Sequence, residues 1–345
     1  MRHLVTGGSG FLGNLIARHF NERGEQVTVL DRWEDETRPH QIQFIEGDVL
    51  NRDLIRASME GVDIVHHTAA LVPLTKSVIR FNEVNIEGSR IVAEEAARAR
   101  VKCFIHMSSS SIFGASPCPA DNNSPLRPLE AYGKSKLEGE AAVKAVAERT
   151  GMKLISVRPR TIIARERLGI FQILFDWIKD DCNIYVIGDG SNKIQFLHAD
   201  DLIDAYMAVY ESGRSGFYNV GTDRFQTLKE DLEGLCLHAK SKARVLGLPE
   251  HLTVSMLRIL DKVGLSPLAP YHYLTYGETF YFDLKPLFDL GWKPKYSNLE
   301  MLTDSYDSFV TNYNELMRDN PGASPHRKRV KERVLKILKS FSKAK

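Results

Sequence analysis

The glycine-rich turn near the start of the chain restricts its fold more than any other feature. Residues 3–6 are strand formers, Gly7, Gly10 and Gly13 follow at the spacing of a phosphate-binding turn, and residues 14–20 carry the apolar spacing of a helix. Strand, turn and helix in that order open a dinucleotide-binding fold. Gly7 allows the turn, Gly10 leaves room for a pyrophosphate, and Gly13 lets the helix lie close to the sheet. The helix N-terminus then faces the phosphates, with Phe11 and Leu12 in its first turn. Residues 27–31 read as the next strand, ending in Asp31 about twenty residues on, where such folds place a ribose ligand. A carboxylate there accepts from the ribose hydroxyls and repels a 2′-phosphate. NAD is therefore expected rather than NADP, with Arg32 beside the same ribose.

Further along, residues 42–45 read as a third strand, followed by Asp48 and Val49 at the adenine end. Asp48 suits the adenine amino group, and equally a helix cap or turn. Residues 63–70 form a fourth strand running into Thr68, Ala69 and Ala70, small enough for the backbone to pass under a cofactor. His66 and His67 lie within it, but adjacent strand residues face opposite sides and no acidic partner is spaced to join them, so no metal is expected. Residues 81–100 have a long helical pattern with Asn85 near its start, and residues 101–107 a fifth strand leading into Ser108, Ser109, Ser110 and Ser111. Strand ends of this kind present ligand sites in α/β sheets. A loop rich in proline and asparagine precedes a second long helix ending near Thr150, which carries Tyr132 and Lys136 four apart on one face. A sixth strand, residues 154–158, ends in Pro159, Arg160 and Thr161. Beyond it the alternation weakens into helices and short strands at 170–179, 184–187, 195–198, 200–210 and 217–220.

The chain has 345 residues, 43% hydrophobic and 26% charged, enough for one large α/β domain and a smaller lobe. No apolar run reaches the roughly twenty residues that span a bilayer, and the start has no signal-peptide pattern, which points to a cytoplasmic protein. Cys103, Cys118, Cys182 and Cys236 are far apart and form neither a zinc pattern nor a disulfide framework. From Arg327 to Lys345 there are nine Lys or Arg residues against Glu332 alone, which leaves the rest of the chain net acidic. That argues against nucleic acid as a partner of the main body.

These pieces together resemble the extended short-chain dehydrogenase/reductases, the NAD-dependent epimerase/dehydratase group. The resemblance is carried by Thr6-Gly7-Gly8-Ser9-Gly10-Phe11-Leu12-Gly13, Asp31, residues 63–70, Asn85-Ile86-Glu87-Gly88, Ser108-Ser109, Tyr132 through Lys136 and Arg158-Pro159. It continues through His198-Ala199-Asp200-Asp201-Leu202, Tyr218-Asn219-Val220-Gly221 and Leu290-Gly291-Trp292-Lys293-Pro294, so that it spans roughly residues 1–310. It implies an α/β fold: a Rossmann-type, doubly wound parallel sheet of about seven strands with a smaller mixed α/β C-terminal substrate lobe. Residues 1–165 with part of 194–225 would bind NAD, and 166–193 with 226–322 would bind a small-molecule substrate. A homodimer through the two long helices is also implied.

In such enzymes Tyr132 would be the general acid/base, Lys136 its partner and a ligand of the nicotinamide ribose, and Ser109 the hydroxyl that binds the reacting oxygen. A free phenol titrates near pH ~10, and a nearby ammonium favours its phenolate. Asn85 and Pro159 complete the expected cofactor contacts, and Ser110, Ser111, Arg160, Thr161 and Lys193 are expected on the substrate. The 4,6-dehydratases of the group carry Asp-Glu after the hydroxyl residue, where this chain has Ser110-Ser111, so dehydration is disfavoured. The two arginines that hold the diphosphate in galactose-type epimerases are replaced by Ile194 and by Thr275-Tyr276-Gly277-Glu278. Arg160, Arg165, Arg167 and Lys193 are the available substitutes.

The expected activity is NAD-dependent epimerisation or keto reduction of a sugar, with a nucleotide sugar favoured. The alternative is a 3β-hydroxysteroid-type or other apolar-alcohol dehydrogenase, suggested by His67–Ala70, Arg158–Ile162, Gln195–His198, the apolar stretch 252–268 and Tyr271, Tyr273 and Tyr276. A non-catalytic NAD-binding protein is the third reading. Residues 323–345 form a basic tail in which Val330, Val334, Ile337, Leu338 and Phe341 recur at helical spacing. It suits packing on the body or a partner subunit, or peripheral membrane contact.

Overall fold

The computed structural model describes residues 1–72, 78–114, 116–165, 169–262, 266, 270–316, 339 and 342–343. Its centre is a seven-stranded sheet in which every neighbouring pair is parallel. In chain order the first six strands are β1 (Arg2–Thr6), β2 (Gln26–Asp31), β3 (Gln43–Glu46), β4 (Ile64–His67), β5 (Cys103–Met107) and β6 (Leu154–Pro159). Two short strands, β7 (Thr161–Ile163) and β9 (Phe196–His198), pair outside this sheet, as do β8 (Ile184–Ile187) and β11 (Val245–Leu248). The seventh strand of the sheet is β10 (Gly216–Val220), at the edge beside β6. The order β10-β6-β5-β4-β1-β2-β3 reverses direction of winding at β1 and β4, and their C-terminal ends are where ligands enter such sheets.

Both faces of the sheet are covered, and the strands accordingly carry near-continuous apolar runs. Val5, Val29, Ile64, Ile105 and Ile155 face helices α1 (Phe11–Glu22) and, after β9, α7 (Ala199–Ser212). Their neighbours Leu4, Leu30, Val65, Phe104 and Leu154 face the other layer, with Val92 and Ala96 of α4 (Ser89–Arg98) and Val143 and Val146 of α5 (Ala131–Thr150). The intervening helix numbers belong to two short pieces, α2 (Arg52–Ser58) and α3 (Val78–Phe81).

A separate core joins α6 (Phe171–Lys179), α8 (Leu228–His238) and a helix at Asn298–Thr311 through Phe175, Ile178, Leu232, Leu235, Leu302 and Phe309. Helix α9 (Glu250–Lys262) lies in the same part of the chain. No described helix is long and apolar enough to cross a membrane.

The sequence pattern over residues 81–100 reads as one helix. The structure breaks it: Asn82–Gly88 is π-helical between α3 and α4. The wider turn brings the Asn85 carbonyl against α5 at Gly139, where a Cβ would lie 2.1 Å from it. Arg167 and most of the basic tail lie outside the described residues. Of the tail, Lys339 pairs with Asp180 at 2.8 Å and with Asp176, and the Asn183 N–H donates to the Ser342 carbonyl.

Candidate functional site

The turn after β1 is closed by its own backbone. Gly7 has φ +72°, and a Cβ there would sit 2.6 Å from the Ala69 backbone; one on Gly13 would lie 2.3 Å from the Gly7 carbonyl. Ala69 therefore passes directly beneath the turn, and the Thr68 hydroxyl ties the two strands by donating to the Thr6 carbonyl at 2.8 Å. Gly10 differs. Its Cβ would meet only the Gly7 carbonyl, at 3.1 Å, so the space beside it is open, as close approach of a pyrophosphate requires. This cradle at the N-terminus of α1 fits a dinucleotide pyrophosphate.

Asp31 ends β2 at the lip of the cradle and accepts from the Ser9 N–H at 3.0 Å and the Arg32 N–H at 2.7 Å. Burial raises its pKa, with those backbone donors working against the rise. Asp48 accepts from the Leu50 N–H at 3.0 Å and faces the Arg32 guanidinium at 3.5 Å, the turn role weighed for it from the sequence. Val49 is buried against Gly88, whereas Phe11 and Leu12 pack partly buried on the core at the start of α1. Asn85 is taken up by protein partners. Its carboxamide bonds the Leu71 N–H and carbonyl at 2.8 and 3.1 Å and donates to the Ser135 hydroxyl at 2.9 Å. It thereby clamps the backbone beyond Ala70 to α5.

Helix α5 begins with Glu130, whose carboxylate accepts from the Tyr132 and Gly133 N–H groups, both at 2.6 Å, and ends at Gly151 in the left-handed region. The cap fixes the first turn, which carries Tyr132. The tyrosine ring is half-buried and packs edge-on to Phe81. One turn later Lys136 is 3% exposed and donates to the Met107 carbonyl at 2.7 Å, at the C-terminal end of β5. Burial brings its pKa down to about 8, with Glu140 opposing. Ser109 follows directly from that strand, and its hydroxyl oxygen accepts from the Ser111 N–H and hydroxyl at 3.2 and 2.9 Å. Lys136 and Ser109 thus meet at the end of β5, and the turn of α5 that carries Tyr132 lies against Ser111.

A pocket open to solvent begins at Ser110 and Ser111, next to Ser109, and its wall mixes polar Arg160, Thr161, Thr275 and Glu278 with apolar Leu129, Ile194 and Phe280 and with Tyr276. Arg160 follows Pro159 at the end of β6 and bonds the Gln195 carbonyl at 2.9 Å and the Ser110 hydroxyl at 3.2 Å, stacked over Phe280. Lys193 is exposed and is not part of the wall, and Arg165 is tied to Asp304.

Beneath the site lies a polar layer in which the sequence marks His67 and Arg158 but not Glu140, Ser156 or His106. Glu140 and Arg158 form a buried pair at 2.6 Å, joined by the Ser156 hydroxyl. His67 bonds Thr6 at 2.7 Å and Ser89 at 2.9 Å, and burial lowers its pKa to about 3. His106 stacks on it from β5. Glu140, four residues after Lys136, was the one readable signal. Among the described residues no group of three potential metal ligands lies together.

The model of the NAD dependent epimerase/dehydratase family matches residues 3–221. The chain is 36% identical over 337 residues to the protein y4nG of Sinorhizobium fredii, covering 97% of this chain and 85% of that one. It is 29% identical over 248 residues to a dTDP-glucose 4,6-dehydratase of Streptomyces niveus, covering 64% and 72%. In structure it resembles the UDP-glucuronic acid 4-epimerase of Bacillus cereus solved with NAD, with a TM-score of 0.74, 21% identity and coverage of 91% and 100%. With its glycine turn, its parallel sheet and a family match over more than half its length, the chain belongs to the NAD-dependent epimerase/dehydratase family and is an NAD-dependent enzyme of the extended short-chain dehydrogenase type.

Proposed function

We propose that this enzyme epimerises or reduces a nucleotide sugar, with Tyr132 as general acid/base. The observation that carries the reading is that Lys136 and Ser109 meet at the end of β5, with Tyr132 in the turn of α5 that lies against Ser111, beside a pocket whose wall offers Ser110, Ser111, Arg160 and Thr161. Bound NAD supplies the hydride acceptor or donor at this point. Tyr132 as phenolate takes the proton of the substrate carbinol, and as phenol returns it to a ketone. Lys136 stabilises the phenolate by its charge, and Ser109 orients the reacting oxygen.

Arg160, Thr161, Ser110 and Ser111 in the pocket wall offer donors to the hydroxyl or phosphate oxygens of a nucleotide sugar. Ser110-Ser111, in place of an Asp-Glu pair, favours epimerisation or keto reduction over loss of water. We assign cofactor binding to residues 1–165 with part of 194–225 and substrate binding to 166–193 with 226–322, and we expect a homodimer through α4 and α5, testable by light scattering. The activity test is a panel of UDP-, dTDP- and GDP-sugars incubated with the protein and NAD, read by NMR of the sugar. A new epimer or keto sugar supports the reading, and turnover of sterols but of no nucleotide sugar sinks it.

A further inference from the structure

His106 is the fourth of the five residues of β5, 1% exposed, with both ring nitrogens lacking a hydrogen-bond partner among the described residues. Its stacking neighbour is satisfied at both nitrogens: the His67 ring, 5.6 Å away, bonds Thr6 on one side and Ser89 on the other. A buried imidazole keeps one N–H and one lone pair whatever its tautomer, and leaving both unmatched is destabilising. The next residue along, Met107, holds the Lys136 ammonium on its carbonyl, the only acceptor among the described residues to which that three-donor group is bonded. Glu140 on the other side already accepts from Arg158 and Ser156.

A water between an imidazole nitrogen and an ammonium satisfies both, as buried waters do where polar groups converge. We propose that His106 and Lys136 share such an internal water, and that His106 is thereby a positioning residue that sets how firmly Lys136 keeps its proton beneath Tyr132. The inference rests on the roles given to Tyr132 and Lys136 above. Lys136 interacts electrostatically with Glu140 of α5, His67 of β4 and His106 of β5; Tyr132 lies one turn before it on α5, and Arg158 of β6 is paired with Glu140 behind. Both histidines are kept neutral by burial, and the lysine charge adds to that effect.

The sign follows. Replacing His106 with a side chain that cannot hold the water leaves the ammonium drier, Lys136 gives up its proton at lower pH, and the tyrosinate it supports forms at higher pH. The test needs no substrate, so its failure is separable from failure of the proposed activity, which is judged on turnover. In NAD-loaded protein, the near-ultraviolet tyrosinate titration is recorded as the difference between each protein and its Tyr132→Phe partner. His106→Phe should move that titration up by about half a pH unit or more, and His106→Gln, which keeps a donor and an acceptor, should restore it. No movement, or equal movement in both variants, overturns the proposal. So does a high-resolution crystal structure of the wild-type NAD complex without a water bridging His106 and Lys136 Nζ, a measurement that stands if His106→Phe does not fold.

Discussion

Glu140 accepts the Nε and Nη2 hydrogens of Arg158 at 2.9 and 2.6 Å, one helical turn beyond Lys136, with both side chains about 5% exposed. Two buried charges of this kind depend on each other more than either benefits the fold. Arg158→Met should destabilise the protein by about 3–5 kcal/mol, because it strands a carboxylate. Adding Glu140→Met should recover much of that loss. Urea denaturation of the single and double variants measures it, and equal stability of the two would show that the pair is not coupled.

The three glycines of the first turn make separable predictions. Gly7→Ala and Gly13→Ala drive a Cβ into backbone, at 2.6 and 2.3 Å, and should lower both the melting temperature and NAD affinity. Gly10→Ala meets the protein only at 3.1 Å, so it should melt near wild type yet bind NAD at least tenfold more weakly. Calorimetric titration with NAD decides this, and undiminished binding by Gly10→Ala would remove the phosphates from the cradle.

Tyr132→Phe should lower turnover by about 10²–10⁴-fold, the usual worth of a general acid/base, while NAD binding stays intact. Arg160→Ala should weaken the nucleotide sugar, because Arg160 is in the pocket wall, and Lys193→Ala should leave affinity unchanged. Substrate titration of the inactive Tyr132→Phe protein reads affinity without chemistry. If Arg160→Ala binds as tightly as its parent, the guanidinium does not contact the ligand.

The parallel sheet, the turn and the Tyr132–Lys136 pair were legible because each rests on local pattern: apolar runs, glycine spacing and two residues on one helix face. The π-helical segment was not, since residues 82–88 have ordinary helical spacing and the break is set by Asn85 meeting Gly139 from another helix. The bonds of the Asn85 carboxamide to Leu71 and Ser135 were not legible either, since both partners lie far along the chain or on another helix. Apart from the Lys136–Glu140 spacing, the way His106, Ser156 and Glu140 form one polar layer with His67 was not legible, for a related cause. It is assembled across three strands and a helix, and no window of sequence contains it.

Asp231 gives a pH prediction away from the site. Burial pushes its pKa up to about 6, against donors from the Asn298 side chain and the Gln226 backbone. The folded state holds this proton more tightly than the unfolded chain, whose aspartates titrate near ~3.9. Its contribution to stability is therefore lost as pH rises from about 4 to beyond about 6. Asp231→Asn should gain on wild type across that interval, and a difference in urea midpoints that does not change with pH would contradict the assignment.

In the proposed reaction Tyr132 passes a substrate proton while bound NAD accepts hydride from a sugar carbinol. The most direct measurement is the absorbance of reduced nicotinamide when NAD-loaded protein is mixed in single turnover with each nucleotide sugar of the panel. At least one sugar should produce reduced cofactor rapidly in the wild type and more than about 10²-fold more slowly in Tyr132→Phe. Reduction at the same rate in both proteins, or by no nucleotide sugar while a sterol reduces the cofactor, would contradict it.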